Sequence, residues 1–223
     1  MNLFSNDSFL GRFLDRVSSF VLLNLYFMIC ALPVITAGAS FTALYYSVLK
    51  LHKDGEVSVT RLFFRSFREN FKQATFGWLL ILLLLLTAWL EHCFFPQGAS
   101  PFGLLFSISI LILLFVDVIL FLYLFPVIAA FSNSLKALLF HAFYFAFHKI
   151  GYLIAVAAIT FLPMYFTLVD ARMFPLYLLF WLLCGFSVTA WLNAWFFYRL
   201  FRPHLGAPDT AKESDSTPDS YVF

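Results

Sequence analysis

The sequence predicts an all-α, polytopic transmembrane helix bundle, and three observations carry that prediction. Charged residues are only 12% of the 223 and hydrophobic residues 62%, against about 25% charged in an ordinary soluble domain. The apolar residues fall in blocks: Leu79 to Leu86 is unbroken, and Leu111 to Ile128 carries a single charge, Asp117. At least five blocks meet or approach the roughly 20 residues that a helix needs to cross about 30 Å of hydrocarbon.

The blocks lie at about 14–35, 38–51, 74–95, 103–130, 150–169 and 174–198. Two polar-amphipathic connectors, 54–73 and 131–149, separate them and are expected as cytoplasmic amphipathic helices. The integral membrane region is therefore 1–202. The tail, 203–223, is rich in Asp, Ser, Thr and Pro and has little to bury, so it is expected to be a disordered cytoplasmic tail. Arg12 and Arg16 ahead of an apolar stretch resemble a secretory signal. That stretch is longer than the roughly 7–15 residues of a signal core, so no cleavage is expected.

The second block decides the number of crossings. As a helix, Gly38 to Leu51 is about 21 Å long, short of a full passage. Charge placement argues that it crosses nevertheless, because Lys and Arg collect on the cytoplasmic side. A tight hairpin at Pro33–Gly38 gives six crossings with both chain ends inside, and leaves only Arg172 of the 14 Lys and Arg outside. A faint internal likeness favours five: Leu32-Pro33-Val34-Ile35-Thr36-Ala37 resembles Phe125-Pro126-Val127-Ile128-Ala129-Ala130. Parallel repeats would place both segments at one membrane face. The charges favour six crossings, with five as the alternative; both keep the C-terminus in the cytoplasm.

Four features could carry function. Arg61, Arg65, Arg68 and Lys72 recur at i, i+4, i+7 and i+11 and share a helical stripe about 60° wide. Phe63, Phe64, Phe67 and Phe71 lie opposite. Such a helix can rest at the membrane surface with its cations near anionic headgroups, or dock a cytoplasmic partner. Four cations make too small a footprint for nucleic acid. Asp117 sits near the middle of the fourth block, where a carboxylate faces a bundle interior rather than lipid. It is either hydrogen-bonded to a neighbour (Asn24, Asn193, Thr87 or Tyr123) or part of a proton- or solute-handling site. Asn24 and Asn193 read as polar glue between helices. His141 and His148 are seven residues apart, too far along one helix to share a metal, and Glu91 and His92 point about 100° apart.

Neither an enzyme nor a cofactor is indicated. There is no H-E-x-x-H, G-x-x-x-x-G-K-[ST] or G-x-S-x-G. Cys30, Cys93 and Cys184 are scattered through or beside apolar runs, without the spacing of a metal site or a disulfide framework.

Three segments resemble the YesL family, bacterial membrane proteins that carry a domain of unknown function. Asn24 begins a span ending Leu32-Pro33-Val34-Ile35-Thr36-Ala37-Gly38. Ala43-Leu44-Tyr45-Tyr46 follows. Then comes Phe63-Phe64-Arg65-Ser66-Phe67-Arg68-Glu69-Asn70-Phe71-Lys72-Gln73-Ala74. The chain departs from the pattern at Ala39, where a proline is expected. The resemblance implies no reaction. It implies a bacterial plasma membrane and, because relatives often accompany carbohydrate importers, an accessory role in carbohydrate transport. The expected partners are the lipid bilayer and subunits of a carbohydrate ABC importer. The alternative expectation is a small transporter or channel using Asp117.

Overall fold

The computed structural model describes residues 9–54, 58–95, 100–170 and 172–203. Apart from Pro203, the expected disordered tail lies outside the described residues. Those residues build eight α-helices and no strand: α1 (Phe9–Ala31), α2 (Ala37–Asp54), α3 (Val59–Phe94), α4 (Pro101–Ala130), α5 (Leu135–His148), α6 (Ile150–Val169), α7 (Phe174–Phe180) and α8 (Phe186–Phe201). A 3-10 turn, Val34–Thr36, joins α1 to α2, and a π-helical turn, Trp181–Gly185, joins α7 to α8. Six helical stretches are long and apolar enough to cross a membrane: Leu14–Ala31, Val34–Lys53, Val59–Phe94, Pro101–Ala130, Ile150–Val169 and Phe174–Phe201. This is the helix content of a multi-pass membrane protein.

The short second block is the hub of the bundle. Helix α2 packs against α1, α3, α4 and α8, and from Ala37 to Leu49 every residue but Phe41 is buried. A helix walled in by other helices needs no lipid-compatible surface. It can therefore carry Ser40, Thr42 and Ser47, all fully buried. Ser40 and Ser47 return their hydroxyls to the carbonyls of Thr36 and Ala43. Small residues at its start allow close approach. A Cβ on Gly38 would lie 2.5 Å from the Ala74 carbonyl oxygen and 2.6 Å from Trp78 Cβ.

The turn ahead of α2 exposes Leu32, Val34 and Ile35, yet its polar groups are answered from within the protein. The Thr36 hydroxyl lies 2.6 Å from the Cys30 carbonyl and 2.8 Å from that of Pro33. The Trp78 indole donates to the Val34 carbonyl at 2.6 Å. Irregular backbone beside lipid requires this kind of internal satisfaction.

The two connectors differ in form. The second is a helix of its own, α5. The first is not separate: it is the opening half of α3, whose 36 residues make a rod about 54 Å long. The reason is a buried stripe that runs through both halves at helical spacing: Val59, Phe63, Ser66, Ala74, Gly77, Ile81 and Ala88. Nothing in that stripe gives the helix a reason to bend into the membrane surface. Phe63 lies in the protein core, ringed by Tyr26 and Phe67, instead of in the acyl layer.

The two proline segments also differ. Pro33 is extended and caps the turn, whereas Pro126 lies inside α4, which runs on to Ala130. The sequence likeness therefore does not mark a structural repeat at this point. Residues 122–130 of α4 are all buried, so the backbone that Pro126 disturbs faces protein and not lipid.

Candidate functional site

Arg61, Arg65, Arg68 and Lys72 all lie exposed on the first half of α3, diametrically opposite the buried stripe. Arg65 Nε donates to Glu69 Oε1 at 2.8 Å, one turn along the helix. Beside the stripe runs a groove of about 970 Å³ whose walls include Arg68, Asn70, Lys72, Gln73 and residues 132–134. Gln73 fastens the two sides: its Nε2 donates to the Asn133 carbonyl at 2.8 Å. The first connector thus meets the start of the second, just ahead of α5.

The three intramembrane polar residues are not brought together. Asn24 is fully buried and clamps the π-helical turn. Its Nδ2 donates to the carbonyls of Trp181 and Leu182 at 2.9 and 2.8 Å. Its Oδ1 accepts from the backbone N–H groups of Phe186 and Ser187 at 3.0 and 3.2 Å. A π turn leaves the regular i→i−4 ladder, and one carboxamide, with donors on one side and an acceptor on the other, satisfies both edges of the break.

Asn193 serves a second junction. Its Nδ2 donates to Thr160 Oγ1 at 2.9 Å and reaches the Tyr45 hydroxyl at 3.5 Å, linking α8 to α6 and α2. Its Oδ1 is buried without a partner, as is the Tyr123 hydroxyl. Asp117 lies in α4 with 9% of its surface exposed. Its Oδ1 has no hydrogen-bond partner, and none of Asn24, Asn193, Thr87 or Tyr123 is bonded to it. Among the described residues no three His, Cys, Asp or Glu side chains converge as a metal site. Glu91 accepts from Ser109 across the α3–α4 pair.

Several residues in these sites carry no sequence signal. Thr160 and Trp181 are ordinary residues in apolar stretches, and only their partners elsewhere in the chain give them a role; Gln73 is part of a motif, but its partner is not legible. Gly38 sits at the close contact of α2 with α3, which a glycine near a helix start could have suggested.

A family model described as "Protein of unknown function, DUF624" matches residues 20–91. The matched stretch runs from within α1 through the turn and α2 to near the end of α3. It contains Asn24, Gly38 and the whole basic stripe. No curated protein and no solved structure matches the chain.

Proposed function

We propose that this chain is a YesL-type, non-enzymatic accessory protein of the bacterial plasma membrane, with its C-terminus in the cytoplasm. In this reading it serves a carbohydrate importer by presenting the basic face of α3 to a cytoplasmic partner. One observation carries the reading: the exposed stripe Arg61–Lys72 stands on the same unbroken helix as a membrane-spanning segment. Its opposite face is already used against α2. A stripe held so firmly keeps its charges in fixed register, which suits docking on an acidic surface better than loose adhesion to headgroups. Purification in mild detergent from cells expressing the importer tests it. The wild-type chain should retain importer subunits, and Arg61→Glu with Arg68→Glu should lose them while remaining in the membrane fraction. Recovery of the wild-type chain alone would overturn the reading.

A second reading rests on Asp117, a carboxylate buried in the middle of an apolar helix with an oxygen that no described residue answers. Such a group suits a small transporter or channel. In proteoliposomes Asp117→Asn should then abolish flux, and flux that is unchanged removes this reading.

A further inference from the structure

Two spaces lie back to back around Trp181. On the outside, a groove of about 680 Å³ runs between α6 and α7, walled by apolar side chains such as Leu162, Phe166, Leu179 and Leu183. On the inside, a cavity of about 80 Å³ sits where α2, α4, α6 and α8 meet. Trp181 is the one described residue that lines both. It is the first residue of the π turn, and two restraints fix it: the Asn24 clamp on its carbonyl and a 2.9 Å hydrogen bond from its indole N–H to Thr167 Oγ1. The indole ring also packs against Phe180 and Phe186, so joining the two spaces requires it to leave these contacts and the Thr167 bond together.

We infer that groove and cavity are two parts of one binding site for a neutral long-chain alcohol drawn from the bilayer. The inference is separate from the docking reading and uses none of its residues. The chain would lie in the groove, and the hydroxyl would pass Trp181 to reach Tyr45 and Thr160. The chemistry of the walls selects this class. No charged residue lines either space, so an ionised headgroup would be buried without a counter-charge. The cavity equals the share of about two or three waters in the liquid, which is room enough for a hydroxyl group.

The inner end is also built for hydrogen bonding. Tyr45 and Thr160 line it, and the Asn193 amide donates to the Thr160 hydroxyl at 2.9 Å and reaches that of Tyr45 at 3.5 Å. Asn193 is fully buried and its Oδ1 is unanswered. Because the Tyr45 and Thr160 hydroxyls accept from Asn193, each keeps its own O–H to donate to an incoming hydroxyl.

The test is photolabelling of the full-length chain in nanodiscs with a diazirine-bearing octanol, the labelled peptides being mapped by mass spectrometry. Label should concentrate on the segment around Trp181 and on the peptides holding Tyr45 and Thr160. It should saturate, and unlabelled octanol should displace it better than decane does. Tyr45→Phe with Thr160→Val, both nearly isosteric, should cut labelling of the inner peptides by about fivefold, the effect of one lost hydrogen bond. Label spread evenly and without saturation over the lipid-facing leucines of α3 and α4 would overturn the site, as would equal displacement by decane. Inner labelling unchanged in the double variant would overturn the role of the hydroxyls. Should that variant fail to fold, the octanol–decane comparison on the wild-type chain decides.

Discussion

Replacing Asn24 by Leu keeps the side-chain bulk in α1 and removes every hydrogen bond of the clamp. Four bonds are lost: two to the carbonyls of Trp181 and Leu182, and two from the N–H groups of Phe186 and Ser187. Polar contacts between membrane helices average about 0.6 kcal/mol, so the four together contribute about 2.4 kcal/mol. The turn can recover some of this by closing into a regular α-helix. That closure would rotate α7 by about 100° relative to α8 and break the Trp181–Thr167 bond, so the recovery is small. Asn24→Asp should be at least as costly, because it sets oxygen against the two carbonyls where the amide set N–H groups. Unfolding in mixed detergent micelles by SDS titration measures both. A loss below about 0.5 kcal/mol for Asn24→Leu, less than one average contact, would refute the clamp. So would an Asp variant more stable than the Leu variant.

Other outcomes follow from the same packing. Gly38→Ala would place a methyl 2.5 Å from the Ala74 carbonyl and 2.6 Å from Trp78 Cβ, neither of which is a flexible side-chain end. It should cost about 1–3 kcal/mol, as overpacking does, read as a lower midpoint in a thermal scan of the solubilised protein. Gly151→Ala meets nothing within 4 Å and should leave that midpoint unchanged or slightly raised, because alanine favours a helix by up to about 1 kcal/mol. For topology, single cysteines at Ile35, Lys53 and Pro175, all exposed, should react with a membrane-impermeant maleimide in a fixed pattern. Six crossings put Ile35 and Pro175 outside and Lys53 inside, and Ile35 on the same side as Lys53 would exclude that arrangement.

Composition and block length made the helix bundle legible, because lipid demands long apolar helices wherever a chain crosses it. The same logic made α2 difficult to read. Hydropathy measures suitability for lipid, and α2 meets very little of it, so its serines, threonine and modest length are invisible as signs of a spanning-length helix. The first connector was legible as an amphipathic helix, but of the phenylalanines placed opposite the basic stripe only Phe63 is fully buried, Phe67 is half-buried, and Phe64 and Phe71 are exposed. What that face meets was not legible. Phenylalanine suits an acyl layer and a protein core equally well, and only the continuation of the buried stripe through Ala74, Gly77 and Ile81 distinguishes them. Asn24 and Asn193 stood out because amides are rare in apolar blocks. The clamp partners of Asn24 lie more than 150 residues away along the chain and are backbone atoms, which no side-chain pattern records.

The burial of the motif residues bears on where function can lie. Asn24, Ala43, Phe63 and Ala74 are fully buried, and Tyr46 nearly so. Each has a part in the packing. Asn24 clamps the π turn, Ala43 and Tyr46 fill the hub helix, and Phe63 and Ala74 seat α3 against it. Pro33 and Thr36 form and satisfy the turn, and Gly38 permits the closest approach. The stretch matched by the family model, residues 20–91, is thus largely the part of the chain that builds the hub. Motif residues buried in this way have a part in building the scaffold. Surfaces that the hub leaves free are where a partner or ligand can reach the protein. The described residues offer two of distinct chemistry: the basic face of α3, suited to an anionic macromolecular partner, and the Trp181 groove, suited to a neutral molecule arriving through the bilayer. The described residues that form one share no hydrogen bond with those that form the other, so substitutions at one should leave binding at the other intact. Reversing charge on α3 should therefore abolish partner capture without altering octanol labelling. Coupled loss of both would mean that the hub, and not either surface, had been damaged.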